Sequence, residues 1–292
     1  MREKSGVPAC PTAEQAPVAS SRGQAPQREV PYDEKLFFES FYKASVRGAV
    51  SDRVTMGSIS DPEARFHYNA TENSIIRALL RREPPPEGAM VETWRFMEQR
   101  RRRRLLDVGS GTGHWIDFFR EAFLVSEAVG VEITAEMGAY LRDKYQDDPA
   151  VTILESDIAD PAFSPEAIGG LVDFVSAIGV LFHIVDDERW RRAVKNLAGV
   201  LKPDGLLLVG GDFGAETANV QFNKIDEFSS WAEHDGMPDG PERRVNKRVR
   251  SLGHWHRVAA GCGLEIVDLV RTDQERFITT PENDLLVLAR GA

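Results

Sequence analysis

Leu105-Leu106-Asp107-Val108-Gly109-Ser110-Gly111-Thr112-Gly113-His114 constrains this 292-residue chain more than any other stretch. Its first four residues form a short, mostly apolar run of the kind that makes a buried strand. Three glycines at alternate positions follow, and a helical pattern over 113–124 begins at once behind them. Glycines permit tight turning and let a ligand approach the main chain closely. In a parallel α/β sheet the carboxyl ends of the strands form the ligand crevice. The segment therefore predicts an α/β fold with a small-ligand site at this loop.

The rest of the chain supports that architecture. Residues 1–30 are rich in Pro, Ala, Ser, Gln and Gly and bury too little apolar surface to offset ordering, so a disordered tail is expected. Residues 31–103 are expected to be helical and without strands. Leu36, Phe37, Phe38, Phe41 and Tyr42 recur at helix-like spacing. Asp61-Pro62-Glu63 reads as a helix start, a helix over 71–82 stops at Pro84-Pro85-Pro86, and another is expected over about 88–103. From Arg104 strands and helices alternate. Strands are expected at 105–108, 128–133, 151–154, 171–177, 206–209, 264–270 and 284–289. Helices are expected between them at 113–124, 134–145, 187–201 and about 250–261, with an irregular stretch at 211–247. Such alternation implies a mostly parallel sheet covered on both faces.

The loop's spacing narrows the ligand. The dinucleotide fingerprint is G-x-G-x-x-G, and its third small residue would fall on His114. Here the spacing is G-x-G-x-G, with Asp107 two residues before the first glycine. An acid in that place suits an ammonium group better than a pyrophosphate. A carboxylate ending the second strand can accept from ribose hydroxyls, and Glu132 stands roughly 20 residues past the loop, as that role requires. After the third strand, Asp157 can accept from an exocyclic amine while Ile158 packs a base.

These residues, together with Asp173-Phe174-Val175-Ser176, Leu181-Phe182-His183-Ile184 and Leu201-Lys202-Pro203-Asp204-Gly205, resemble the class I S-adenosylmethionine (SAM)-dependent methyltransferases. The resemblance covers residues 104–290. It implies a Rossmann-like seven-stranded sheet in the order 3-2-1-4-5-7-6 with the seventh strand antiparallel, an N-terminal helical lid at 31–103 and a SAM-binding domain at 104–292. It implies SAM as cofactor, held by Asp107, Gly109, Ser110, Gly111, Gly113, Glu132, Ile133, Asp157, Ile158 and Ala177. The usual turn before strand five is L-K-P-G-G, and Asp204 replaces a glycine here.

Methyl transfer from SAM is mainly a matter of alignment, and a base matters only when the acceptor carries a proton. His183, after strand four, and Asp212, after strand five, are the candidate bases. Tyr68, Asn69, His183, Phe213, Trp231 and His254 are candidate acceptor contacts. The apolar residues of 211–247 suit the wall of a small-ligand pocket. The Asn/Asp-Pro-Pro-Tyr/Phe motif of enzymes that methylate base amines or protein glutamine is missing after strand four, where Ser176-Ala177-Ile178-Gly179 stands.

Composition limits the partners. The net charge of −10 repels phosphate backbones and counts against a nucleic-acid substrate. Arg100 to Arg104 reads as a solvated helix face, and the basic stretch from Arg243 to Arg250 is a candidate receiver of an anionic substrate group. Two cysteines, Cys10 and Cys262, make neither a disulfide framework nor a zinc site, so no metal is expected. No run approaches the roughly 18 apolar residues of a membrane span, and the N-terminus lacks a signal-peptide pattern, so a cytoplasmic protein is expected. The expected activity is methylation of a small molecule, at oxygen first and then nitrogen or carbon, in the manner of secondary metabolism. A non-catalytic SAM-binding regulator or partner subunit, or an RNA or protein methyltransferase, stands as the alternative. A homo-oligomer is left open.

Overall fold

The computed structural model describes residues 33–45, 50–52, 61–84, 98–99, 102–211, 213, 220–222, 247–271 and 284–291. The elements in chain order are α1 (Glu34–Ser45), α2 (Asp61–Arg82), β1 (Arg104–Val108), α3 (His114–Phe123), β2 (Glu127–Glu132), α4 (Ala135–Lys144) and β3 (Val151–Glu155). They continue with β4 (Val172–Ile178), a short 3-10 turn (Leu181–His183), α5 (Asp187–Val200), β5 (Leu201–Gly211), β6 (Val220–Phe222), β7 (Lys247–Val249), α6 (Leu252–Gly261), β8 (Leu264–Val270) and β9 (Asp284–Arg290).

Seven strands make one sheet in the order β3-β2-β1-β4-β5-β9-β8. Counting only the strands of this sheet, that is the expected 3-2-1-4-5-7-6. β9 runs antiparallel to β5 and to β8, and the pairs among β1 to β5 are parallel. The order reverses at β1 and β4, so their carboxyl ends open the crevice that the glycine loop enters.

Alternation along the strands sets the layers. Leu105, Phe174, Leu206 and Leu208 pack with Ile75 and Leu79 of α2, with Ile116 and Phe119 of α3 and with Leu141 of α4. Leu106, Val108, Val175 and Leu207 face the other side and pack with Trp190 and Leu197 of α5 and Trp255 of α6. α1 lies outside both layers. Its Phe41 and Tyr42 pack on Met137 and Tyr140 of α4, beside the carboxyl end of β2.

Three expectations change. Residues 61–82 form one helix, because the apolar face read at 71–82 extends back through Tyr68 and Ala64. Pro203-Asp204-Gly205 is not a free turn but part of β5, which starts at Leu201 opposite Val172 and resumes its pairing at Leu206 opposite Phe174. The register shift there absorbs the extra residues as a bulge. The stretch 211–247 is not wholly irregular, since β6 pairs with β7 in a two-stranded antiparallel sheet. The tail at 1–30 and most of the helix expected over 88–103 lie outside the described residues.

Candidate functional site

The glycine loop is shaped by its backbone. Gly109, Gly111 and Gly113 have φ of 63°, 52° and 82°, in the left-handed region that other residues enter at a cost. At Gly109 a Cβ would also stand 2.6 Å from Val180 Cγ2, so the main chain runs against the segment after β4 with no room for a side chain. The Gly109 N–H donates to the Val131 carbonyl at 2.8 Å, and Gly113 opens α3 as its N-cap. From below, Lys144 Nζ donates to the Thr112 carbonyl at 2.8 Å and the Tyr145 hydroxyl to the Gly113 carbonyl at 3.0 Å. From the N-terminal segment Asp52 Oδ1 accepts from the Thr112 hydroxyl at 2.6 Å.

Two carboxylates flank the loop. Glu132 ends β2 and is buried. Its Oε2 accepts from the Gly111 N–H at 3.2 Å, and its Oε1 from the N–H groups of Ile133 at 3.0 Å and Thr134 at 3.4 Å. Burial raises its pKa, and these backbone donors pull it back down. Asp107 is wholly buried in β1, in register with Gly130 on one side and Ser176 on the other. Among the described residues neither Asp107 carboxylate oxygen nor the Ser176 hydroxyl makes a hydrogen bond of good geometry, although the Ser110 and Ser176 hydroxyls stand close enough to pull the Asp107 pKa down. Burial pushes Asp107 up to about 7.

A cavity of about 470 Å³, counting its open mouth, lies over the carboxyl ends of β1, β2 and β3. Gly109, Ile133, Ser156, Asp157 and Ile158 line its floor and sides, with Val180, His183 and Ile184 from the segment after β4. Glu34 and Phe38 of α1 close it from above, and Arg189 stands at its edge. The Phe38 ring meets the His183 ring edge-on at 4.9 Å.

The structure thus gathers Gly109, Ile133, Asp157, Ile158 and His183 around one cavity, with Ser110, Gly111, Gly113, Glu132 and Asp107 in the loop and strand ends beside it. Ala177 is buried deeper in β4, and Val180 lines the cavity instead. Tyr68 is buried with its ring stacked 3.7 Å from His114, whose Nε2 lies 2.8 Å from Glu72 Oε1. Burial lowers the His114 pKa, against the pull of Glu72 and Asp52. Asn69 is exposed on α2. Phe213 is buried beside Trp255 at 6.0 Å, in a narrow cleft with Phe182 and Gly211. His254 is buried on α6, its ring edge-on to Trp190 at 5.3 Å. Asp212 and Trp231 lie outside the described residues.

Arg248 and Arg250 are not free to receive an anionic group. Both pair with Asp187, at 3.0 Å, and Arg250 also donates to the carbonyls of Ile184 and Val185 with its guanidinium 4.3 Å over the Trp190 ring. They fasten the segment between β4 and α5. Arg104, read as part of a solvated face, is likewise spent on Glu127, Leu171 and Ile168.

Sequence reasoning missed Glu34, Phe38, Val180 and Arg189. Only Phe38 carried a signal, its place in the aromatic face of α1. Arg189 and Glu34 are 155 residues apart, and nothing local joins them.

Residues 105–205 match the family model described as a methyltransferase domain. No match to a curated protein is found. Among solved structures, a SAM-dependent methyltransferase of Leishmania major superposes with a TM-score of 0.58 at 13% identity, over 87% of this chain and 82% of that one. A chain from the complex between the Haloferax volcanii Trm112 methyltransferase activator and a methyltransferase gives 0.51 at 17%, over 87% and 97%. The CcbJ methyltransferase of Streptomyces caelestis gives 0.50 at 17%, over 89% and 100%. At such identities the structures share the fold.

The sheet order, the loop and the family match together identify residues 105–205 as a methyltransferase domain on the Rossmann-like fold of the class I SAM-dependent methyltransferases. Its methyl donor is S-adenosylmethionine. The residues present fit that donor. The buried Asp107 carboxylate, with no well-formed hydrogen bond among the described residues, suits a cationic or donor group, and the Gly109 backbone leaves room only for close main-chain approach. Glu132 Oε2 keeps acceptor capacity beyond its one donor, the Gly111 N–H, while Oε1 takes the Ile133 and Thr134 N–H groups and the Thr134 hydroxyl.

Proposed function

We propose that this chain transfers the methyl group of SAM to a small, diffusible acceptor, at oxygen first and then at nitrogen or carbon, in a biosynthetic setting such as secondary metabolism. When bound, the donor supplies an already activated methyl group, so the protein's contribution is alignment and exclusion of water. In this reading Glu132 accepts from the ribose hydroxyls, Asp107 neutralises the ammonium end, and Ile133 and Ile158 hold the base. Gly109, Ser110, Gly111 and Gly113 present main chain to the donor. His183 takes the acceptor's proton.

The observation that carries the reading is the roof. α1 brings Phe38 against His183 at the mouth of the cavity, which suits a small acceptor better than the side chain or base of a polymer. The charge of −10 points the same way, as does the internal use of Arg103, which pairs with Glu83, and of Arg104, Arg248 and Arg250.

The test is incubation with methyl-labelled SAM and, in parallel, pooled metabolites, total RNA or a protein extract. Label should appear in the low-mass fraction. Label confined to RNA or protein would replace this reading with a macromolecular one. No label in any fraction, from a protein that binds S-adenosylhomocysteine (SAH), would favour a non-catalytic regulator or a subunit needing an activator, as in the Haloferax volcanii complex.

A further inference from the structure

Three charged side chains from three separate elements meet at one end of the cofactor cavity. Asp157 follows β3, Arg189 lies in the first turn of α5, and Glu34 opens α1. Arg189 Nη2 is 3.0 Å from Asp157 Oδ2 and 3.4 Å from Glu34 Oε2. All three residues line the cavity, beside Ile133 and Ile158. The backbone builds this meeting point. Asp186 caps α5 by accepting from the Arg189 N–H at 2.8 Å, and Asp157 Oδ1 accepts from the Ala159 N–H at 2.8 Å. That leaves Asp157 Oδ2 turned to the arginine.

Two features separate the cluster from an ordinary surface ion network. Glu34 is only 8% exposed, so its charge depends on a partner. Burial raises its pKa while Arg189 opposes the rise. In addition, the Arg189 Nε–H is buried and, among the described residues, has no acceptor. An unpaired donor of that kind costs free energy unless a ligand satisfies it. An adenine base offers the complementary edge, with an exocyclic amine to donate and ring nitrogens to accept.

We propose that Arg189 is a positioning residue that ties recognition of the cofactor's base to closure of α1. It orients Asp157 to accept from the exocyclic amine, offers its Nε–H to a ring nitrogen, and through Glu34 holds α1 down over the bound adenosyl group. The inference rests on the reading that this cavity takes the adenosyl end of SAM. It adds that base and roof share one cation, so the base cannot be fully read while α1 is open, and α1 cannot lock while the base site is disrupted.

The test uses the full chain and SAH as probe. Calorimetry compares SAH with its N6-deaminated analogue, stopped-flow displacement gives the SAH dissociation rate, and amide exchange reports on residues 34–45. In the wild type SAH should slow exchange in α1, and the amine-bearing ligand should bind about tenfold or more tightly than the deaminated one, the worth of a charge-assisted hydrogen bond. Arg189→Gln should weaken SAH about tenfold, narrow the preference between the two ligands, and abolish the SAH-dependent protection of α1. Glu34→Gln should remove the protection, raise the dissociation rate several-fold and narrow the base preference part of the way, less than Arg189→Gln does, because Arg189 and Asp157 remain but α1 no longer locks. Should Arg189→Gln weaken both ligands equally, or fail to fold while Glu34→Gln behaves like wild type, the coupling is overturned. A wild type that binds SAH without protecting α1 overturns it too. A folded wild type that binds no SAH would overturn the cofactor reading itself and the coupling with it.

Discussion

The Gly111 N–H donates to Glu132 Oε2 across 3.2 Å, joining the loop after β1 to the end of β2. The same carboxylate takes the N–H groups of Ile133 and Thr134 on its other oxygen. Glu132 therefore fixes the loop before any ligand arrives, and in the proposed role the free lone pair of its Oε2 accepts from a ribose hydroxyl. Glu132→Gln puts an NH2 group where one of these donors must be accepted, and a buried donor left unpaired costs about 1–3 kcal/mol. SAH affinity should fall at least tenfold with the fold retained by circular dichroism. Affinity within twofold of wild type would remove Glu132 from the cofactor site.

Asp107 predicts how binding depends on pH. Its carboxyl is held at about 7 by burial, so near pH 6 most of the free protein carries it protonated. An ammonium ligand binds the ionised form, and binding must release the proton. SAH affinity should drop about tenfold between pH 8 and pH 6, since each pKa unit is about 1.4 kcal/mol. The sign for stability is opposite. A buried acid with a raised pKa favours the fold below its unfolded value of 3.8, and that contribution is lost as pH rises through 7. Asp107→Asn should therefore raise the melting temperature of the free protein at pH 8 while weakening SAH and flattening its pH profile. A profile that keeps its slope in the variant assigns the proton elsewhere.

How much of this was legible in the sequence depends on the distance between the residues involved. The glycine loop and Glu132 follow from short-range patterns, namely a strand cut by glycines and an acid at the end of the next strand. Alternation of strands with helices implies only a mostly parallel sheet, and the order of its strands comes from the family resemblance. Ser251 capping α6 at 3.2 Å is equally local. Arg250 is the opposite case. A basic stretch reads as exposed because arginine usually is, yet Arg250 is 2% exposed, stacked on Trp190 and paired with Asp187, 63 positions away. Tyr68 reads in the sequence as an acceptor contact, and only the arrival of α2 on α3 reveals its stacking on His114. The bulge at Pro203 arises from pairing with β4, which no local turn signal reports.

Gly109 tests whether loop shape or loop chemistry matters. An alanine Cβ would meet Val180 Cγ2 at 2.6 Å and would hold φ at 63° against its preference. Gly109→Ala should cost about 1–3 kcal/mol of stability and lower SAH affinity together with it. Adding Val180→Ala relieves the clash but not the dihedral, so the double variant should recover part of the stability only. Full recovery would mean that the positive φ costs nothing here.

Arg250 should be indispensable to folding rather than to chemistry. Its pKa is lowered to about 10 by burial, opposed by Asp187. Arg250→Met removes the more buried of the two guanidinium groups on Asp187 and the donor to the Ile184 carbonyl, leaving Asp187 with Arg248 alone, and breaking such a buried pair costs up to about 3–5 kcal/mol. Denaturant melts should show that loss. Asp187→Asn with Arg250→Met should be less damaging than the sum of the singles, because both singles remove the same Arg250–Asp187 interaction. Additive losses would mean that the two side chains act independently.

His183 decides between alignment alone and alignment with proton removal. The ring lines the cavity over the carboxyl ends of β1 to β3 and meets Phe38 of α1 edge-on at 4.9 Å. If the acceptor is a hydroxyl, His183→Asn should lower kcat by about a hundredfold, the usual worth of a positioned base, and leave SAH affinity within a few-fold. Supplying the acceptor at a pH where it is already ionised should restore most of the rate, since the missing step is then no longer needed. If the acceptor is a neutral amine or thiolate, the variant should retain its rate at every pH, and the methylated product isolated from the labelled-SAM assay identifies which case applies. A variant that loses SAH binding in proportion to kcat would place His183 among the residues that hold the cofactor, with no separate part in moving the proton.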